Sequence, residues 1–465
     1  MESRNISFNV SANQLSINSR FNPKFFNFQK NTKEIFKSKN FDKIIDFSNK
    51  EYFKNISDGI HSTVNLIEEG NIRYLYIHNL KNGFIDTVDK LYLDEKDHLL
   101  NKSKELKKGL VLVSVVGTIG NTAIFNEDTN KKCSLPRNIA YLETTKNIDP
   151  HYVAIFFLSN FGREQTVMNA GGNIQGLLSL GKFKKMKIPL LKEKLSTPLI
   201  KKYKESLKLE AKALDLISDA KIKFYKELQI NFDSIEKNMS FSIENKKFLQ
   251  MDLWTPQFAY PYYEKIKLKL QKKFKLTQLR DIREKIIIFK EPGSEYYLDS
   301  LEKSDKDLPF IRTSDYFNYE LDPNPDYFIE ETTSKDLYKP LKDGDIVVTK
   351  DGKIGNIAII FESPKYVLSA GSIVLRLKKE INPYYVFLCL SSEYIGQNFF
   401  KQRTVVASTI PHLKVSRFED VEIPLIKKEK MDYLGSLVKD AYKLKSKRRV
   451  LMAEIKNKIN QYIKY

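Results

Sequence analysis

The sequence predicts an α+β protein with two tandem α/β units, each followed by a long helix, the two helices pairing as an antiparallel coiled coil. Two observations predict it: an internal duplication at half the chain length, and an apolar stripe of heptad type that recurs after each copy. Val113-Ser114-Val115-Val116-Gly117-Thr118-Ile119-Gly120-Asn121-Thr122-Ala123-Ile124-Phe125 returns as Val348-Thr349-Lys350-Asp351-Gly352-Lys353-Ile354-Gly355-Asn356-Ile357-Ala358-Ile359-Ile360. Gly352 follows Gly117 by 235 positions (352 − 117), with Ile-Gly-Asn-x-Ala-Ile in register. Three more anchors keep nearly the same shift. Phe21-Asn22-Pro23-Lys24-Phe25 answers to Trp254-Thr255-Pro256-Gln257-Phe258, Ile148-Asp149-Pro150-His151-Tyr152 to Ile381-Asn382-Pro383-Tyr384-Tyr385, and Ile188-Pro189-Leu190 to Ile423-Pro424-Leu425. A solenoid would repeat every roughly 20–50 residues, so this shift means two copies of one domain.

Within the first copy, Arg73 to Leu80, Leu110 to Val116 and Thr122 to Phe125 read as strands by their β-branched and aromatic content. Phe310 to Thr313 and Asp345 to Thr349 do so in the second. Asp58-Gly59, Asn82-Gly83, Asp343-Gly344 and Asp351-Gly352 supply turns. A short helix starts at Pro150 and another at Pro383, with Asp149 and Asn382 as N-caps and proline in the first helical position. The long helices close each copy. Leu434, Leu437, Ala441, Leu444, Leu451, Ile455 and Tyr462 mark one seam, with Arg448 and Lys458 as polar interruptions. Ile200, Tyr203, Leu207, Glu210, Leu214, Ile217, Lys221 and Leu228 mark the other. Roughly 30 residues per helix give a rod of about 45–50 Å. The expected division is residues 1–195, a helix over 196–235, residues 236–428 and a helix over 429–465.

The chain has 465 residues, 42% of them hydrophobic, which is enough for more than one core. Two cysteines, Cys133 and Cys389, exclude a disulfide scaffold or a cysteine-rich zinc module. No apolar run reaches the roughly 18 residues of a membrane span, so a cytoplasmic protein is expected. The net charge of +20 favours a polyanion, because neutralising phosphates releases condensed counterions.

Three patterns suggest catalysis and each is incomplete. Asn382-Pro383-Tyr384-Tyr385 approaches the loop that holds a flipped adenine in amino-methyltransferases, but N-cap plus proline explains it, and no glycine-rich loop after a strand offers a place for S-adenosylmethionine. Pro325-Asp326 with Asp351-Gly352-Lys353 spells a metal-dependent nuclease pattern, yet the first copy carries Val116-Gly117-Thr118 there and no acid. Gly171-Gly172-Asn173-Ile174-Gln175-Gly176 lacks the Lys-Ser/Thr of a phosphate loop. The five histidines His61, His78, His98, His151 and His412 lack metal-ligand spacing, and no metal site is expected. An enzyme acting on DNA, nuclease or methyltransferase, stays the alternative reading, and a basic scaffold protein a third.

Binding is what remains. Bases are read in the grooves by two-pronged side chains, arginine on guanine and asparagine or glutamine on adenine. Candidates on the turn-rich parts are His61, Arg73, His78, Asn79 and Arg137 in the first copy and Arg312, Ser314, Asp315, Lys350 and Lys353 in the second. Leu207, Leu214, Leu437, Leu444 and Leu451 are the candidate seam positions. The two copies share framework but differ between anchors, as two readers of different half-sites would.

The chain resembles the specificity subunit of a type I restriction–modification system. Arg20 to Phe26, Ser57-Asp58-Gly59-Ile60-His61-Ser62-Thr63, Leu308-Pro309-Phe310-Ile311-Arg312-Thr313-Ser314-Asp315, the paired Ile-Gly-Asn motifs and the Ile-Pro-Leu before each long helix carry the likeness, in the family's order along the whole chain. It departs from the family in its lysine-rich seams and in Leu191-Lys192-Glu193-Lys194 and Ile426-Lys427-Lys428-Glu429, which stand where Pro-Pro-Leu usually continues. The resemblance implies two target-recognition domains spaced by helices and a non-catalytic chain for phage defence that binds double-stranded DNA. It also implies docking of two adenine methyltransferase subunits and, in a full system, up to two restriction/translocase subunits. S-adenosylmethionine and Mg-ATP are then expected on those partners, with no cofactor on this chain.

Overall fold

The computed structural model describes residues 23–125, 132–171, 176–238, 240–407 and 410–464. Phe21 and Asn22 of the first anchor, residues 172–175 of the glycine-rich loop and Ser408-Thr409 opposite it lie outside the described residues. The chain divides into two compact units. Met1–Leu207 and Arg449–Tyr465 form the first, and Lys208–Arg448 the second.

The duplication extends to topology. In the first unit, β1 (Phe53–Asp58), β2 (Leu110–Ser114), β3 (Thr122–Phe125) and β4 (Ile139–Thr144) form an antiparallel sheet in the order β1-β4-β2-β3. In the second, β5 (Arg283–Ile288), β6 (Ile346–Thr349), β7 (Ile357–Ile359) and β8 (Ser372–Leu377) repeat it as β5-β8-β6-β7. β2 and β3 are buried throughout, as are β6 and β7, which explains their unbroken apolar runs. A second four-stranded sheet in each unit has one parallel pair, Ile72–Tyr74 with Lys132–Ser134 and Leu308–Ile311 with Val367–Leu368. A two-stranded ribbon joins the two ends of each globular part, Phe41–Asp46 to Lys187–Leu191 and Lys275–Gln278 to Glu422–Leu425.

One strand is shorter than its sequence suggests. Arg73 to Leu80 breaks after Tyr74 into a 3-10 turn at Ile77–Asn79, because the Asn79 side chain accepts the Tyr76 backbone N–H at 2.7 Å. The short helices start where the caps place them, α1 at Pro150–Leu158 and α3 at Pro383–Ser391. Asp149 accepts from the His151 N–H, and Asn382 from those of Tyr384 and Tyr385. Tyr152 and Tyr385 donate their hydroxyls to Pro189 and Pro424, which ties each helix to its ribbon. Gly162 and Gly396 follow in the next turn. A Cβ there would stand 2.1 Å from the Phe156 carbonyl and 2.0 Å from that of Leu390, so only glycine permits the approach.

The long helices are α2 (Glu193–Leu228) and α4 (Lys428–Ile463). Each contributes to both units, and within each unit they run antiparallel. In the first unit Lys202 pairs with Glu454, and Ser206 meets Met452. In the second, Glu227 pairs with Lys430 at 2.9 Å and Glu210 with Lys445 at 3.0 Å. The buried stripe keeps one of the two expected seam positions in each heptad and shifts the other by one residue. On α2 it runs Leu199, Tyr203, Ser206, Glu210, Ala213, Ile217, Ala220, Phe224 and Leu228. On α4 it runs Leu434, Val438, Ala441, Lys445, Arg448, Ile455, Ile459 and Ile463. Leu207, Leu214, Leu437, Leu444 and Leu451 are only half-buried and flank it. Steps of three and four are kept, but the central line takes small and charged residues, and the leucines pack along its margin.

The three charges of that line, Glu210, Lys445 and Arg448, meet Glu320 of the strand Glu320–Leu321 inside the second unit. Lys445 lies 3.0 Å from Glu210 and 3.1 Å from Glu320, while Arg448 lies 2.8 Å from Glu320 and 3.4 Å from Glu210. Asn318 donates to Glu210 at 3.0 Å, and the Arg448 guanidinium stacks on Phe317. All four charged side chains are buried, as the mutual pairing of opposite charges permits.

Candidate nucleic-acid interface

In each unit the turn carrying Ile-Gly-Asn is held by the same set of backbone hydrogen bonds. Val115 donates to Asn138 at 2.9 Å and Lys350 to Gly371 at 2.8 Å. Leu178 donates to Val115 and Leu413 to Lys350, both at 2.8 Å. Gly117 donates to Gly176 at 3.1 Å and Gly352 to Pro411 at 3.0 Å. Inside the turn, the hydroxyls of Ser114 and Thr349 donate to the carbonyls of Thr118 and Lys353, and accept the N–H groups of Asn121 and Asn356. Gly117, Gly120, Gly352 and Gly355 take φ of 77°, 90°, 69° and 85°, the left-handed conformation that glycine supplies without strain. The edge is thus one frame built twice, presenting different side chains.

Three candidates belong to the frame. Asn79 and Asp315, 236 positions apart, are both buried and each accepts a backbone N–H three residues earlier, from Tyr76 at 2.7 Å and Arg312 at 3.0 Å. Their carbonyls accept from Asp86 at 2.7 Å and Asp322 at 2.8 Å. Arg73 is buried and its guanidinium donates to the Asp86 carbonyl. These bonds occupy polar atoms that would otherwise be left unsatisfied on burial.

The others lie at or near the surface. His61 faces Asp58 at 3.0 Å and His78 faces Asp89 at 2.8 Å. Arg137 is exposed beside Ile60, whose carbonyl accepts its N–H at 2.9 Å. Ser314 is exposed and occupies the position equivalent to His78; Lys353 is exposed on the turn. Arg312 is half-buried, 3.2 Å from Asp315 and 3.5 Å from Asp326, and stacks on Tyr327 at 4.4 Å. Lys350 bonds Asp351 at 2.5 Å.

The far oxygen of Asp351 takes Nδ1 of His412, a residue that sequence reasoning leaves with an ordinary role. Burial would raise the Asp351 carboxyl, but hydrogen bonds from Lys350 and His412 outweigh it and hold the pKa below its usual value. The 61-residue separation hides this pair; only the extra strand Ile410–His412, bridged to Asp351, brings it together.

Two of the three catalytic patterns resolve into structural bonds. Asn382 and Asp149 are helix caps. Asp326 faces Arg312, while Asp351 faces Lys350 and His412, so each carboxylate of the nuclease pattern is engaged by a basic side chain. Among the described residues no group of three or more histidine, cysteine, aspartate or glutamate side chains is placed to hold a metal, and no helix is long and apolar enough to cross a membrane.

Residues 269–461, most of the second copy and nearly all of α4, match the type I restriction modification DNA specificity domain. That match covers about two fifths of the chain and lies in its second half. Among solved structures, the type I restriction-modification S subunit from M. genitalium is 15% identical, covers 91% of this chain and 96% of its own, and superposes with a TM-score of 0.37. The HsdS subunit from Thermoanaerobacter tengcongensis is 12% identical over 90% and 96% of the two chains, with a TM-score of 0.28. A chain from a structure of complex assembly and conformational transition in the type I system is 14% identical over 91% and 96%, also at 0.28. No curated protein matches the sequence.

Proposed function

We propose that this chain reads a bipartite, gapped DNA site, one half with each globular unit, and docks two adenine-N6 methyltransferase subunits and, in a full system, two restriction/translocase subunits. One observation carries the reading. The same backbone bonds hold the Ile-Gly-Asn turn in both units, while the side chains presented differ: Val116 and Thr118 in one, Asp351 and Lys353 in the other. Duplicated frames with divergent edges suit two different base sequences. S-adenosylmethionine and Mg-ATP then belong to the partners, none to this chain, and the complex works in the cytoplasm.

Co-expression with its methyltransferase partner, followed by sequencing of adenine methylation, tests this. Two short sequences separated by a fixed, unread gap are the expected result; a continuous site rules it out. The isolated chain should bind DNA weakly, with affinity falling steeply as salt rises. Methylation or cleavage by the chain alone with S-adenosylmethionine or Mg²⁺ would reverse the assignment of chemistry to the partners.

A further inference from the structure

The two units make the same isolated β-bridge between the Ile-Gly-Asn turn and the segment beyond it, with opposite chemistry. In the first unit it joins Val116 to Leu177; in the second, Asp351 to His412. Both pairs sit at a shift of 235. Leu177 is 51% exposed and the His412 side chain 42%, although each backbone is fixed by the frame. An apolar pair has therefore been exchanged for a hydrogen-bonded polar one at a single point.

We propose that this bridge is a base-reading position in each unit, with Leu177 and His412 as its specificity-determining residues; this rests on the two-reader function above. Fixed backbone with a half-exposed side chain is what direct readout requires, since a mobile loop would lose its discrimination to ordering entropy. Asp351 holds His412 through Nδ1 and is itself held by Lys350, so the ring orientation is set. In the tautomer that donates Nδ1–H to the carboxylate, the ring presents Nε2 as an acceptor. An acceptor in the major groove meets the amino group of adenine or cytosine, whereas the apolar Leu177 suits the thymine methyl.

The test is selection from a random duplex library by the full chain, bound to its methyltransferase partner where needed, comparing wild type with three variants. His412→Leu combined with Asp351→Val transplants the first unit's pair. It should abolish preference for adenine or cytosine at one position of one half-site, a loss of about five- to tenfold in discrimination. Asp351→Asn alone should weaken preference at that same position. Leu177→Ala should act at one position of the other half-site only. Retained preferences at all remaining positions report that the variants are folded. Unchanged logos, or a uniform loss of affinity with a shallower salt dependence, would overturn the proposal and make these residues structural or phosphate contacts. A wild-type chain with no sequence preference would instead overturn the two-reader function itself.

Discussion

Single side chains decide more of this molecule than their hydropathy suggests. Lys445 is fully buried between two glutamates, and its removal takes one cation from both buried carboxylates. Lys445→Met should destabilise the second unit by about 3–5 kcal/mol in chemical denaturation, the cost of breaking a buried ion pair from one side. Glu164 has the opposite problem. Burial pushes its carboxyl up to about 7, and one of its oxygens has no hydrogen-bond partner. A carboxyl raised on folding favours the folded state fully below its unfolded pKa, and that advantage is lost as pH rises from about 4.5 through 7. Glu164→Gln should flatten the fall in stability across this window and gain about 1 kcal/mol at pH 8, screening keeping the figure small. Melting curves of both proteins between pH 5 and 8 would check it. Neither residue was legible in the sequence, because hydropathy turns charged residues outward and cannot see that four charges neutralise one another. Asn79 and Asp315 were hidden differently: the amide and the carboxylate do the same work within dissimilar neighbours.

At the level of elements, legibility followed locality. Asp149-Pro150 and Asn382-Pro383 announce helix starts because cap and helix are adjacent in sequence, and the glycine turns are legible for the same reason. The long helices were legible as helices and in half of each seam: Leu434, Ala441 and Ile455, like Tyr203, Ile217 and Leu228, are buried as expected. At the other position of each heptad the leucines select Leu437 and Leu444, whereas the buried residues are Val438 and Lys445, one position over. Aspartate scanning separates the two. Val438→Asp places an unpaired charge at a fully buried site and should cost about 3 kcal/mol or more. Leu437→Asp, at the half-buried margin, should cost clearly less; equal costs would restore the leucine seam. If the helices dock methyltransferase subunits, the margin rather than the central line is where a substitution should weaken assembly while sparing the fold.

For the molecule as a whole, the proposed function makes a modular prediction. Exchange of residues 1–190 for the matching part of a relative should change one half of the methylated sequence and leave the other intact. Insertion of one heptad into each long helix, between Leu207 and Lys208 and between Arg448 and Arg449, keeps the stripe in phase on both. It lengthens each helix by about 10 Å, so the gap should grow by about three base pairs at roughly 3.4 Å each, with both half-sequences unchanged. An insertion in one helix alone leaves its partner one heptad short and should simply destabilise the protein.

The first unit contains the last residues of the chain: Ile455, Ile459 and Ile463 are buried with Phe161, Leu199 and Tyr203 in one core. A ribosome therefore releases the first globular part long before it can be finished. About 240 residues of the second unit intervene, which at 5–20 residues per second is a wait of roughly 12–50 s with an apolar strip uncovered. The nascent protein is a natural client for chaperones during that interval. A nonsense codon near its end also injures its beginning. Truncation after Arg448 should lower protection from hydrogen exchange in β1 to β4 while leaving β5 to β8 near wild-type levels, so a lesion in the final 17 residues would silence the reader encoded first.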